Sequence, residues 1–243
     1  MDLSNQVALV VGGGSGIGIG IAKALALEGC RIALAGRTEA TLIEAAASAE
    51  FQGQAKCKST DASDRDAVNE LFAWVESELG PIDILVFSAG VNIAKRNFDE
   101  MDPDDYDRVM AANAGGAFNC LYAALKSMRP RKTGTIINIV SLAAMNTAAL
   151  AGLPYTASKY AQSSMGLFAN QEANADGVRV TNIHPGEVDT PILKKRPKPV
   201  TPEHRAMMLQ PEDVAAMAMT VAKLPARAVV PEIVIVPRHQ SLG

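Results

Sequence analysis

Two patterns in this chain of 243 residues carry chemical potential, and the first pairs a phenol with an amine. Tyr155 and Lys159 stand four positions apart, a spacing that puts both side chains on one face of a helix, with the ammonium below the phenol. An ammonium there favours the phenolate and so suits the tyrosine to proton transfer near neutral pH. Bringing a phenol from its ordinary pKa of about 10 to about 7 demands roughly 4 kcal/mol of preferential stabilisation of the ion. Ser141, at the end of an apolar run upstream, supplies a hydroxyl that can hold a substrate oxygen beside that phenol. A second pair of the same spacing, Tyr122 with Lys126, falls inside a long helical stretch and reads as an exposed neighbour pair.

The second pattern is glycine-rich. Gly12-Gly13-Gly14-Ser15-Gly16-Ile17-Gly18 follows the run Val7 to Val11 and precedes an alanine-rich stretch. The spacing GxGxxG fails at every register, whereas GxxxGxG fits at Gly12, Gly16 and Gly18. The physics is that of a tight turn, a backbone close to phosphate, and a helix N-terminus whose free N–H groups and dipole favour an anion. Where a dinucleotide's ribose would be read, at the end of the second strand, no Asp or Glu occurs from Arg31 to Thr38. Arg37 is positioned instead to meet a 2′-phosphate, so NADP(H) is expected ahead of NAD(H). At the next strand end, Asp61 either accepts from an adenine amino group or caps the helix beginning near Asp64. An oxidised nicotinamide and partial desolvation are expected to join Lys159 in acidifying Tyr155.

The elements that must position these residues are legible as an alternation. Runs at Val7 to Val11, Arg31 to Ala35, Ile82 to Phe87, Thr135 to Val140, Val178 to Ile183 and Ile233 to Val236 read as strands buried on both faces. Between them lie helical stretches at Ile17 to Glu28, Glu39 to Glu50, Asp64 to Leu79, Pro103 to Met128, Pro154 to Asn174 and Pro211 to Lys223. Strand and helix in this rhythm imply a doubly wound α/β fold with a parallel sheet and helices on both faces. No linker or repeat interrupts it, so one domain is expected over residues 1–243. Thr190 to Met208 breaks the rhythm with four prolines and five bases, and reads as a mobile substrate loop beyond the sheet's carboxyl edge.

Composition limits the functions available. Apolar residues make up 48% and charged residues 20%, with 23 Lys+Arg against 26 Asp+Glu and a net charge of −3. That balance disfavours a nucleic-acid partner. The stretch from Val7 to Ala22 is too short and too glycine-rich to span a membrane. Cys30, Cys57 and Cys120 are odd in number and widely spaced, as expected of core cysteines in a reduced cytoplasmic setting.

In their order and spacing, Gly12-x-x-x-Gly16-x-Gly18, Asp61, Ala89-Gly90, Asn113, Ser141, Tyr155-x-x-x-Lys159 and Pro185-Gly186 resemble the short-chain dehydrogenase/reductase family over nearly the whole chain. The resemblance implies a single-domain Rossmann fold with a seven-stranded parallel sheet. It implies Tyr155 as general acid/base, Lys159 as the residue that lowers its pKa and binds the nicotinamide ribose, Ser141 as the substrate-orienting hydroxyl, and Asn113 as the holder of a relay water through a distorted helix. For the cofactor it implies Gly12, Gly14, Ser15, Gly16, Ile17 and Gly18 at the phosphates and Arg37, Asp61 and Ala62 at the adenosine. Ala89, Gly90, Pro185, Gly186, Val188 and Thr190 then flank the nicotinamide with Tyr155 and Lys159. Three features depart from the family pattern: Val11 replaces a threonine, Phe87-Ser88 replaces a pair of asparagines, and the spacing from Ser141 to Tyr155 is one residue longer. The C-terminal part resembles the NADP-dependent 3-hydroxy acid (serine-type) dehydrogenases.

The expected activity is hydride transfer between NADP(H) and a carbonyl or secondary alcohol, on a short polar 3-hydroxy or 3-oxo acid, with no metal. A 3-oxoacyl-thioester reductase and a non-catalytic NADP(H)-binding sensor or scaffold are the alternatives. The run Lys194-Lys195-Arg196 is a candidate partner for an anionic substrate group. The family resemblance also implies a homotetramer or homodimer built on the helices Pro103 to Met128 and Pro154 to Asn174, whose alanines would permit close approach.

Overall fold

The computed structural model describes residues 1–147 and 149–240. Seven strands form one parallel sheet: β1 (Val7–Val11), β2 (Arg31–Gly36), β3 (Lys56–Ser59), β4 (Ile82–Phe87), β5 (Gly134–Ile139), β6 (Val178–Pro185) and β7 (Glu232–Ile235). Their order is β3-β2-β1-β4-β5-β6-β7, every pair parallel. β3 is absent from the apolar runs because Lys-Cys-Lys-Ser forms an edge strand, where charge is tolerated.

Side chains alternate across the sheet and divide the core in two. Val7, Leu9 and Val11 of β1 point to one face, and Ala8 and Val10 to the other. The helices are α1 (Gly16–Leu27), α2 (Glu39–Ala46), α3 (Arg65–Leu79), α4 (Pro103–Met110), α5 (Gly116–Met128), α6 (Leu153–Ala173), α7 (Pro202–Met207) and α8 (Pro211–Ala222). α3, α5 and α6 cover the first face, while α1, α2 and α8 cover the second. With both faces dry, continuous apolar strands follow.

The stretch from Pro103 to Met128 is one helix only in outline. A π-helical turn at Ala111–Gly115 separates α4 from α5, the distortion that the resemblance implied. The Thr190 to Met208 excursion folds into a 3₁₀ turn at Pro191–Lys195 and the short α7. Sheet order reverses between β1 and β4, so the loops after these strands diverge and leave a crevice at their carboxyl ends.

Candidate active site

The glycine loop leaves β1 beside β2, with the N–H groups of Gly12 and Gly13 both donating to the Ala35 carbonyl at 2.8 and 3.1 Å. Gly12 and Gly16 adopt φ of +84° and +57°, a region that glycine enters without penalty. A Cβ on Gly18 would lie 2.2 Å from the Gly12 carbonyl oxygen, so Gly18 lets the first turn of α1 pack on the loop. Ser15 caps α1 without a side-chain bond, and the first turn holds no acid. The free N–H groups of that turn therefore face the crevice uncompensated.

A cleft of about 590 Å³ opens from this loop. Gly12, Gly14, Ser15, Gly16 and Ile17 line one end, Arg37, Asp61 and Ala62 the adjoining wall, and Ala89, Gly90, Tyr155, Lys159 and Thr190 the far end. Arg37 is exposed at the tip of β2. Burial works to raise the Asp61 carboxyl, but hydrogen bonds from Ser63 and the nearby Arg37 charge hold it below its ordinary value. Asp61 does not cap α3: Asp64 does, accepting from the N–H groups of Asp66 and Ala67.

A second, smaller cavity of about 190 Å³ lies beyond Tyr155, with Ser141, Pro185, Gly186 and Val188 in its wall. Tyr155 lines both cavities, and Ser141, which shares the smaller one, acts to lower its phenol's pKa. Ser141 stands two residues beyond β5, and its Oγ accepts from the Ala143 N–H at 3.1 Å, capping the short turn that follows. Pro154 sits in the first turn of α6 and places Tyr155 at the helix start.

Lys159 Nζ lies 5.6 Å from the centroid of the Tyr155 ring, on its face. Only 3% exposed, it donates to the Ile139 carbonyl at 3.1 Å and to Gln162 Oε1 at 2.7 Å. Burial brings its amine down from 10.5 to about 7. Burial also pushes the Tyr155 phenol up, against the lowering effect of Ser141. Desolvation therefore opposes the phenolate instead of helping to form it, because a low-dielectric site penalises either ion. That corrects the expected contribution of desolvation; the Ser141 side chain alone works to lower the phenol, and the net direction is upward.

Asn113 occupies the π-helical turn and is fully buried. Its Oδ1 accepts from the Val91 N–H at 2.8 Å, and its Nδ2 donates to the Val91 carbonyl at 3.0 Å and to Ser158 Oγ at 2.9 Å. It thus ties the loop after β4 to α6. Gln162 escaped the sequence reading altogether. With Asn138 and Asn182 it forms a buried polar chain under Lys159, including Gln162 Nε2 to Asn138 Oδ1 at 2.7 Å and Asn138 Nδ2 to Asn182 Oδ1 at 2.8 Å.

Of the basic run, Arg196 lines the small cavity and Lys195 the large cleft. Arg196 is paired with Glu187 at 2.7 Å, and Lys194 and Lys195 are exposed. Glu187 also accepts from or shares a proton with His204 at 2.8 Å and His239 at 3.3 Å. This cluster ties α7 and the C-terminal segment to the end of β6. Tyr122 of the other tyrosine–lysine pair is exposed on α5, away from both cavities.

Residues 6–200 match the family model of the short chain dehydrogenases. The chain belongs to that family. Among its relatives is an uncharacterized oxidoreductase of Staphylococcus saprophyticus, 34% identical over 239 residues that cover 98% of this chain and 99% of the relative. An uncharacterized oxidoreductase of Staphylococcus aureus is 32% identical over 97% of this chain and 98% of its own. A serine dehydrogenase solved in its closed form with NADP+ is similar at a TM-score of 0.88 and 28% identity, covering 97% and 96% of the two chains. An alcohol dehydrogenase of Thermococcus sibiricus, solved with 5-hydroxy-NADP, is similar at 0.85 and 27%, covering 97% and 98%.

This short-chain dehydrogenase accommodates its departures by packing. Phe87 is fully buried, and a Cβ on Gly116 would lie 3.4 Å from its ring, so the aromatic fills space against the start of α5. The bond from the Ser88 N–H to the Val11 carbonyl, at 2.8 Å, joins the ends of β4 and β1 through backbone alone.

Proposed function

We propose that this dehydrogenase uses NADP(H) to interconvert a carbonyl and a secondary alcohol on a short polar substrate, with 3-hydroxy and 3-oxo acids the leading candidates. The observation that carries this reading is the position of Tyr155, where the large cleft and the small cavity meet, with Ser141 in the wall of the same small cavity. The large cleft fits a dinucleotide by its chemistry. The α1 N-terminus would hold the pyrophosphate, and Arg37, with no carboxylate on β2, would hold a 2′-phosphate. NADP in the similar serine and alcohol dehydrogenases supports the same preference.

When bound, the nicotinamide would supply hydride to a carbonyl carbon or accept it from an alcohol. In the reducing direction, Ser141 Oγ holds the carbonyl oxygen by a hydrogen bond and Tyr155 Oη gives that oxygen its proton. Lys159, with an amine near 7, exists in both protonation states at neutral pH and can replace the proton that Tyr155 loses. Gln162 and the Ile139 carbonyl hold Lys159 in place.

A screen of NADPH oxidation across oxo acids, oxoacyl thioesters, diketones and aldehydes tests the reading, with Tyr155→Phe as control. Turnover of short oxo acids by the wild type alone is expected. Tight NADPH binding without turnover of any class would instead favour a sensor or scaffold.

A further inference from the structure

The small cavity contains a cation that the sequence reading passed over. Arg96 follows β4 in a stretch without helix or strand and is only 3% exposed. It lines the same cavity as Ser141 and Tyr155. Its Nη1 donates to the Leu150 carbonyl at 2.7 Å and its Nη2 to the Lys195 carbonyl, so two loops at the cavity rim are stitched to it. Gly152, at φ +79°, makes room: a Cβ there would lie 2.4 Å from the Arg96 stem.

What Arg96 lacks is a counterion. Among the described residues it has no ion pair, and its buried Nε has no hydrogen-bond partner. The nearest charges do not repair this. Arg196 repels it, Glu100 attracts it weakly, and burial further disfavours its ionised form. Of the charged groups lining the cavity, Arg196 and Glu187 neutralise one another, which leaves the surplus positive charge on Arg96. A buried, unpaired guanidinium is costly, and carbonyl dipoles offset only part of that cost. Arginine's planar fork matches a carboxylate.

We propose that Arg96 is the anchor for a carboxylate of the substrate, so that the site takes short oxo and hydroxy acids in preference to neutral ketones. This rests on the carbonyl-reductase reading above and assigns anion recognition to Arg96 in place of the Lys194-Lys195-Arg196 run. The cavity volume of about 190 Å³ is below the range usual for drug-sized ligands, in keeping with a small acid.

The test separates binding from turnover. Malonate added to the NADP+-loaded wild type is expected to raise the melting temperature, and dimethyl malonate is not; in Arg96→Gln the malonate shift disappears. Steady-state assays then compare 2-, 3- and 4-oxo acids with their methyl esters. The wild type is expected to favour an acid over its ester by about 100-fold in kcat/KM, and Arg96→Gln to lose that preference through KM, about 100-fold for the acid and little for the ester. Arg96→Lys should recover part of it, which a purely structural strut would not do selectively. Equal losses for acid and ester, or a malonate shift that survives in Arg96→Gln, would overturn the anchor. Should the glutamine variant not fold, wild-type inhibition decides: malonate competitive and dimethyl malonate inert is expected, and equal inhibition overturns the proposal. If malonate binds through Arg96 yet no carbonyl compound is reduced, the carboxylate site stands as a binding site and the reductase reading is what fails.

Discussion

Burial disfavours both Tyr155 and Lys159 as ions, and the proposed proton transfer asks the two to act together. Removal of the phenol oxygen in Tyr155→Phe is expected to lower kcat by on the order of 1,000-fold with NADPH affinity nearly unchanged, whereas Tyr122→Phe leaves both unchanged. Fluorescence titration with NADPH alongside steady-state kinetics checks this. The lysine also leaves a mark on stability. An amine lowered from 10.5 to about 7 binds fewer protons folded than unfolded between those values, so stability rises with pH through that window and its cost is fully present below about pH 7. Denaturant unfolding from pH 7 to 10 should show this rise in wild type, up to on the order of 4 kcal/mol. Lys159→Met should flatten the slope, whatever it does to absolute stability. At Arg37, alanine is expected to reduce the preference for NADP(H) over NAD(H) by about 1.5 to 3 kcal/mol, measured as a ratio of kcat/KM values. A wild type already preferring NAD(H) would contradict that assignment.

At the level of elements, turns more than strands set the site. The π-helical turn is what carries Asn113 inward to bind both backbone groups of Val91. Asn113→Ala leaves those half-buried groups unpaired and should destabilise the fold by about 1 to 2 kcal/mol in denaturant melts, with NADPH affinity falling as the loop after β4 loosens. The existence and kind of these elements were readable from apolar runs and glycine spacing. β3 was not, since Lys56 and Lys58 break its apolar pattern at a sheet edge. Neither was Arg96, because a residue between elements has no periodicity to show that it turns inward. Gln162 was hidden for the opposite reason: one polar residue in an alanine-rich helix looks solvated until its neighbours Asn138 and Asn182 are brought beneath it from β5 and β6.

For the molecule as a whole, the outward surfaces of α5 and α6 matter most. Part of the alanine surface of these helices is spent inside this chain, since Ala117, Ala123, Ala124 and Ala169 are buried, whereas Ala111, in the π-helical turn before α5, is exposed and Ala157 and Ala161 are half-buried. Also outward stand Phe118, stacked on Tyr122, and Phe168, 63% exposed. Exposed aromatics are where an interface between copies would form, so if two copies meet here Phe168→Glu should shift the sedimentation coefficient towards that of a monomer; an unchanged coefficient places the contact elsewhere. Chain order and side-chain period were enough to specify a parallel sheet, a glycine turn at its first crossover and a tyrosine one helical turn from its lysine, because these depend on neighbours near in sequence. Arg96 without a counterion, Glu187 holding two histidines and an arginine, and the joining of two cavities at one phenol depend on segments tens of residues apart. Burial and charge balance are properties of the packed whole, and no local pattern contains them.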